Sequence, residues 1–175
     1  QIAKLFVSLR AGGPDDSKFY DGIDDYAIYE NYGSPTPIDL GENFDISFWV
    51  KFGGTGLYSI LQRGSDSVDD KYWYIQTVGD RSGRLEFQIS DGVGFALIQT
   101  SSAVNDNKWH KIIWTRSGDN HKVTVDGIDR TKAGNIDPGI GDINNPSREI
   151  IIGAEIVNNE FYFKGWIGGV KIISN

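Results

Sequence analysis

The sequence contains no cysteine, and it has only two histidines among its 175 residues. Without thiols, the chain forms no disulfide and offers no thiolate to a metal ion. Two histidines leave little material for a nucleophile and base pair or for a transition-metal site. Acceptor motifs for N-glycosylation are also missing, because Pro146 blocks the single near match, Asn145-Pro146-Ser147.

Long hydrophobic runs and positive charge are also scarce. No apolar segment approaches the roughly 20 residues needed to cross a bilayer, so we expect no membrane insertion. The net charge is −7 and the pI is about 4.7. Such an acidic surface repels nucleic acid and anionic membranes, which excludes both as primary partners. The chain begins at Gln1 rather than Met, so we expect a processed form, consistent with a removed secretion signal.

Strand-forming segments separated by turn residues make up most of the sequence. The chain has 22 glycines and 13% aromatic residues, which is typical of strands joined by tight turns. In residues 44–52, Phe44, Ile46, Phe48 and Val50 recur every second position, which predicts a strand with one apolar face. Further strands are predicted at 2–9, 18–20, 26–29, 57–63, 72–78, 84–89, 95–100, 108–116, 122–125, 128–131, 149–152, 160–163 and 166–173.

This pattern predicts an all-β antiparallel sandwich or barrel. The strands are evenly spaced, with no linker or internal repeat, so we expect one domain over residues 1–175. Trp49 and Trp109 lie in apolar strands, and we expect their large rings to fill the space between two sheets. Phe48 and Ile112 receive the same assignment to the core.

Six segments, in order, resemble the laminin-G-like, pentraxin-like and concanavalin-A-like group. They are FYDGIDDY at 19–26, FDISFWV at 44–50, NKWHK with TR at 107–116, VTVDG at 123–127, IIGA at 151–154 and FKGWI at 163–167. The resemblance covers nearly the whole chain and implies a two-sheet jelly-roll sandwich of extracellular, lectin-like type. One departure is Gly168-Gly169, which stands where many bacterial members carry an Asp-Glu pair that helps to hold a structural calcium. The resemblance therefore does not carry that calcium site over to this chain.

Catalytic groups of the kinds found on this fold are not evident. Hydrolases of this type place several carboxylates two residues apart on one strand, whereas Glu86 is alone on its predicted strand. Gln88-Ile89-Ser90 is similar to a motif of alginate lyases, but Ser90 stands where that motif has its catalytic histidine. We therefore predict that the chain is not an enzyme, and a polysaccharide lyase or glycosidase is the least favoured alternative.

A strand with amphipathic aromatic residues is the candidate ligand site. Alternation places Tyr72, Tyr74 and Gln76 on one face of the strand and Trp73 and Ile75 on the other. The first set suits a partly solvated face of a sheet. Planar polar side chains beside exposed aromatics are what sugar binding needs. The predicted ligand-binding residues are Tyr72, Tyr74, Gln76, Arg63, Arg84 and Gln88. The alternative interpretation is a cross-strand aromatic ladder that only stabilises the sheet.

Acidic loops suggest calcium as a cofactor. Calcium takes six to eight oxygen ligands from carboxylates and carbonyls. The segment with Asp66, Asp69 and Asp70 is the predicted metal site. The alternative is that these residues are solvated turn residues, since Asp favours turns.

Two functional hypotheses follow. The first is a non-catalytic extracellular binding module, carbohydrate-binding or adhesive, that recognises a glycan or another cell-surface ligand. The second is a structural subunit of a filament, surface layer or capsid that binds copies of itself. Its basis is that apolar strands are predicted at both ends, 2–9 and 166–173, and terminal strands can be donated to a neighbour's open sheet edge.

Overall fold

The computed structural model describes residues 16–30, 38, 40–65, 69–155 and 161–174. These ranges contain thirteen β-strands and no α-helix. The strands are β1 Lys18–Asp21, β2 Ala27–Glu30, β3 Asn43–Lys51, β4 Ser59–Arg63, β5 Lys71–Thr77, β6 Leu85–Asp91, β7 Phe95–Thr100, β8 His110–Ser117, β9 Asn120–Val125, β10 Ile128–Asp129, β11 Thr131–Ile136, β12 Ile150–Ile152 and β13 Lys164–Ser174. Within these ranges, no helix has the length and apolar character needed to span a membrane.

The strands form two antiparallel sheets. The six-stranded sheet has the order β1-β13-β3-β8-β9-β10, and the seven-stranded sheet has the order β11-β7-β6-β5-β4-β12-β2. The predicted fold class, an all-β jelly-roll sandwich, is confirmed. Strand β13 pairs with both β1 and β3 inside its own sheet. The terminal strand predicted at 166–173 is therefore not free for donation to a neighbour, and the one predicted at 2–9 lies outside the described residues.

Alternating side chains from both sheets form the core. On β3, Phe44, Ile46, Phe48 and Val50 are all buried, as the two-residue period predicts. Trp114 of β8 contacts rings from both layers: its ring centroid lies 5.0 Å from that of Phe44 and 5.4 Å from that of Phe87 on β6. Edge-to-face and tilted ring contacts of this kind add to the free energy gained by burial.

The prediction that Trp49 and Trp109 fill the core is wrong. Trp49 is half-buried on the outer face of β3, where Lys111 Nζ lies 5.6 Å from its ring centroid. Trp109 is half-buried just before β8. The buried tryptophans are Trp73 and Trp114. Alternation decides which face a residue occupies, and it places Trp49 opposite to the buried set, however apolar its ring is.

Most strand boundaries agree with the prediction to within a few residues, and two regions differ. The sequence predicts no strand between residues 131 and 149, but β11 continues to Ile136. Gly134 permits this, because a Cβ there would lie 2.6 Å from the Leu97 carbonyl oxygen. A strand was also expected at 160–163, whereas 161–163 are irregular and residue 160 lies outside the described part.

Candidate functional site

The outer face of the seven-stranded sheet carries two rows of polar side chains. In one row, Gln62 of β4 lies opposite Tyr74 of β5, which lies opposite Gln88 of β6. In the other, Glu86 of β6 lies between Gln76 of β5 and Gln99 of β7. Their sequence neighbours, such as Trp73, Ile75, Phe87 and Ile89, point into the core. Alternation therefore brings residues from four strands together as one polar strip.

Two tyrosines fix the orientation of Gln88 within this strip. Tyr74 Oη donates to Gln88 Oε1 at 2.5 Å, and Gln88 Nε2 donates to Tyr72 Oη at 2.6 Å. The rings of Tyr72 and Tyr74 stack nearly parallel along β5, with centroids 6.1 Å apart. The residues opposite them on β6 are Ser90 and Gln88 rather than aromatics. The pair is therefore part of a polar network and not of a ladder of rings across strands.

Glu86 is the acceptor at the centre of the second row. Its Oε1 accepts from Gln76 Nε2 at 3.2 Å, and its Oε2 accepts from Gln99 Nε2 at 2.9 Å. Tyr74 Oη, whose proton is donated to Gln88, lies 3.4 Å from Glu86 Oε1. From the sequence, Glu86 is only a lone carboxylate on its strand, without the second carboxylate that a hydrolase needs. Its two-residue spacing from Gln88 was the signal that places both side chains on one face.

The two predicted arginines occupy different places. Arg84 joins the strip, since its Nη1 donates to Gln99 Oε1 at 3.0 Å and its Nη2 pairs with Asp80 Oδ2 at 2.6 Å. Hydrogen bonds from Ser82, followed by those from Arg84, lower the pKa of Asp80 to about 2. Arg63 is buried and donates to the Ile38 carbonyl at 2.6 Å. The structure therefore brings five of the six predicted ligand-binding residues together and leaves Arg63 apart.

A small cleft opens beside the strip. Its lining includes Gln62, Ser65, Tyr74, Gln76, Glu155 and Phe161, and its volume is about 160 Å³. Ser65 Oγ donates to Glu155 Oε1 at 3.1 Å, and the backbone N–H of Ser59 donates to the Phe161 carbonyl at 2.8 Å. The volume is below the roughly 300–1,000 Å³ of drug-sized pockets, so it suits a small group such as one sugar ring. Glu155 and Phe161 were not predicted as site residues, because no local sequence pattern links them to β4 and β5.

Of the predicted metal ligands, Asp69 and Asp70 are described and Asp66 is not. Asp69 Oδ1 accepts from Arg148 Nε at 2.8 Å, and its Oδ2 accepts from the backbone N–H of Ser65 at 3.1 Å. Asp70 is exposed. Among the described residues, no three His, Cys, Asp or Glu side chains are grouped closely enough to hold a metal ion.

A separate cluster surrounds His110 at the start of β8. Its Nδ1 lies 2.7 Å from Asp126 Oδ2 and its Nε2 lies 3.0 Å from Asp106 Oδ1. Carboxylates only accept, so both contacts are hydrogen bonds when the ring is doubly protonated. Partial burial acts to lower the pKa of His110, but the hydrogen bonds to Asp126 and Asp106 outweigh it and raise the pKa. The cluster fastens the chain before β8 to the turn after β9.

Comparisons with known proteins agree with this architecture. Residues 21–175 match the sequence model of laminin G type from the concanavalin A-like lectin/glucanases superfamily. Human pikachurin is 30% identical over 98 residues, which is 56% of this chain and 10% of that protein. The chain thus spans a tenth or less of the length of the curated relatives it matches.

Solved structures with the same fold include a laminin domain pair and a carbohydrate-binding module. Domains LG4-5 of the mouse laminin α1 chain superpose with a TM-score of 0.68 at 17% identity, covering 90% of this chain and 41% of that one. The CBM40 of Ruminococcus gnavus IT-sialidase, bound to α2,3-sialyllactose, gives a TM-score of 0.58 at 13% identity, covering 90% and 93%. At these identities, the likeness concerns the fold alone.

Proposed function

The chain belongs to the concanavalin A-like lectin/glucanases superfamily, and from this premise we propose that it is a non-catalytic, carbohydrate-binding module of an extracellular protein. The observation that carries the proposal is the polar strip with its adjoining cleft. Phenol, amide and carboxylate groups converge there from four neighbouring strands, next to the apolar residues Leu57 and Phe161. Sites for small ligands typically combine such an apolar wall with a few oriented polar groups.

The hydrogen bonds within the strip support recognition of sugar hydroxyls. Gln88 is held between Tyr72 and Tyr74, so its amide group presents a fixed orientation. Preorganised donors and acceptors lose less conformational entropy when a ligand binds. The stacked tyrosine rings restrict the phenol groups in the same way. A rigid polar face of this kind suits a ligand with many hydroxyl groups.

The position of Glu86 supports a role without catalysis. Glycosidases require a pair of carboxyl groups that flank the scissile bond, one of which attacks or activates water. Both carboxylate oxygens of Glu86 instead accept hydrogen bonds from the amides of Gln76 and Gln99. We propose that Glu86 orients these amides toward a ligand. The extracellular part of the proposal rests on the resemblance to secreted modules of this superfamily.

Screening on a glycan array, followed by calorimetric titration of the hits, tests the proposal. We expect binding to at least one glycan, weakened several-fold by Tyr74→Phe and by Glu86→Gln. Asp45→Asn is the matched control, because Asp45 accepts from Thr115 Oγ1 at 2.6 Å on the outer face of the other sheet. Failure to bind any glycan, or equal losses in the control, would contradict the proposal.

Calcium binding through Asp66, Asp69 and Asp70 stays a prediction. An ion at this place must replace the bonds that Asp69 makes with Arg148 and Ser65. An ion that binds these carboxylates only in the folded protein would make the stability of the fold depend on the calcium concentration. The prediction requires that added calcium raise the melting temperature of the wild type and leave Asp69→Asn unchanged. A wild type that does not respond would contradict it.

A further inference from the structure

We propose that the outer face of the six-stranded sheet is a second binding surface, which takes an acidic, partly apolar segment of another protein. It lies on β1, β13, β3 and β8, on the side of the sandwich opposite to the polar strip. This basic aromatic patch consists of the outward side chains of Phe19, Trp49, Trp166, Lys51, Lys111 and Lys171. The proposal is independent of the glycan site.

Strand pairing brings the side chains of the patch together. Phe19 of β1 lies opposite Trp166 of β13, which lies opposite Lys51 of β3. Two residues away on β3, Trp49 lies opposite Lys111 of β8. The positions between them on β3 point into the core, because side chains alternate along a strand. Four neighbouring strands therefore contribute to one continuous surface.

Two rings of the patch are open to solvent. Phe19 is 44% exposed and Trp166 is 39% exposed, and their ring centroids lie 5.3 Å apart with an angle of 57° between the planes. Exposed apolar side chains that lie together mark interaction surfaces, and tryptophan is prominent among the residues that dominate binding energy. Because these two rings are tilted against each other, they do not form one flat platform on which a sugar ring could stack.

Three lysines beside the rings have no carboxylate partner among the residues that the structure describes. The lysine ion pairs in that part of the chain are made by Lys18, Lys71, Lys108 and Lys122. Burial, followed by the positive charge of Lys171, lowers the pKa of Lys111. An anionic partner would relieve this repulsion between like charges. The patch is therefore complementary to an acidic ligand, although the net charge of the chain is −7.

The other neighbours of the rings favour a protein ligand over a glycan. Apart from lysines, the nearby outward positions hold Ser17, Asp21, Ser47 and Gly168. Asp21 lies opposite Lys164 and accepts from the backbone N–H of Ile23 at 2.8 Å. None of these positions carries an amide side chain of the kind that is oriented toward ligand on the polar strip. Acidic and apolar side chains of a protein need only the cations and the exposed rings.

The size of the patch suits a short, extended segment. From β1 to β8 there are three strand spacings, about 14 Å in all. An extended chain crosses this distance with about four or five residues. Stable complexes between folded proteins bury roughly 800 Å² on each partner, which is much more than such a segment covers. We therefore expect a weak and reversible contact with a linear motif.

Fluorescence anisotropy with labelled peptides and the whole chain tests the proposal. The probes have 12 residues, about two to three times the span of the patch, with Asp or Glu alternating with Phe, Leu or Trp. Each is paired with one version that has Asn and Gln at the acidic positions and another that has Ser at the apolar positions. Heparin, polygalacturonate and vesicles of phosphatidylcholine and phosphatidylserine are measured beside them.

The variants are Trp166→Ala, Lys51→Gln and Lys111→Gln, each checked for its fold by circular dichroism. Lys132→Gln is the matched control, because it removes the same charge from an exposed position on β11 of the other sheet. Each Lys→Gln variant of the patch should weaken peptide binding about fivefold at low salt, the effect of one charge about 4 Å away in water. Trp166→Ala should weaken it about tenfold, and Lys132→Gln should leave it unchanged.

We expect the acidic, apolar peptides to bind and both altered versions of each to bind more weakly. No binding by any acidic peptide, or an equal loss in Lys132→Gln, would overturn the proposal. Tighter binding of heparin, polygalacturonate or vesicles that depends on Trp166 would also overturn it, as would self-association that Trp166→Ala abolishes in sedimentation. The glycan site is tested separately through Tyr74, so each of the two proposals can fail without the other.

Discussion

Arg116 of β8 tests how the loops of the sandwich are held. The side chain is 1% exposed and donates to four backbone carbonyls, those of Gly41, Gly118, Gly141 and Ile140. These carbonyls belong to three connections: the segment before β3, the β8–β9 turn and the segment between β11 and β12. Burial lowers the pKa of Arg116, and the nearest acidic groups raise it only in part. One buried cation therefore supplies the hydrogen-bond donors for backbone carbonyls in three loops.

Arg116→Met should lower the free energy of unfolding by about 3 kcal/mol. Replacing a buried charge with an apolar side chain is often harmless, but only when its partners are replaced too. Here the partners are backbone carbonyls and remain. The buried Ile140 carbonyl, left unpaired, costs about 2 kcal/mol, and the three part-buried carbonyls, which water can reach, cost about 0.5 kcal/mol each. The expected loss is slightly smaller than the sum of these costs, because folding of the variant no longer requires desolvation of the cation.

Urea unfolding at constant pH measures this loss, provided that the slope against urea concentration stays the same. Arg116→Lys should lose about half as much, because an ammonium has three donors and a shorter reach. Lys108→Met is the control: its ion pair with Asp106 is 3.6 Å long, the lysine is 78% exposed, and the expected change is below about 0.5 kcal/mol. A loss below about 1 kcal/mol for Arg116→Met would refute the reasoning.

Three further predictions concern the core, the histidines and the strip. Trp73→Ala should cost about 3–5 kcal/mol, whereas Trp49→Ala on the outer face should cost about 1 kcal/mol, by urea unfolding; equal losses would contradict the assignment of faces. The pKa of His110 is raised above its ordinary 6.5, so its stabilisation is complete below pH 6.5 and is lost as pH rises through the folded-state value. Burial, followed by the charge of Arg116, lowers the pKa of His121 to about 4, so its stabilisation is present above pH 6.5 and is lost as pH falls toward 4. The free energy of unfolding, measured from pH 4 to 9, should lose the first of these pH dependences in His110→Ala and the second in His121→Ala. The same pH dependence in both variants would contradict the prediction. Glu86→Gln should keep the fold by circular dichroism while lowering glycan affinity several-fold; unfolding of the variant would show a structural role instead.

The fold was predictable because alternation and turn residues act locally. Residues 44–52 show apolar side chains at every second position, and β3 occupies nearly that range. The predicted limits of 95–100 are those of β7. The error at Trp49 arose because residue type was given more weight than position in the alternation. The same rule, applied strictly, would have placed that ring on the outer face with Asp45 and Ser47.

The site was predictable only in part, because its components meet through pairing between distant strands. Tyr72, Tyr74 and Gln76 share a face of one strand, so the sequence alone groups them. Their contacts with Glu86 and Gln88 depend on the β5–β6 register. Glu155 and Phe161 reach the cleft through tertiary contacts with Ser65 and Ser59, about 90 and 100 residues away along the chain.

The central claim is that the outer face of the seven-stranded sheet is the surface that binds glycan. Titration of the isotope-labelled domain with the best glycan from the array, followed by amide NMR, tests it most directly. The account predicts that the largest shift changes fall on β4, β5 and β6 and around Glu155 and Phe161, while β3 and β13 stay unchanged. Shift changes concentrated instead around Trp166, Trp49 and Lys111 on the six-stranded sheet would contradict it.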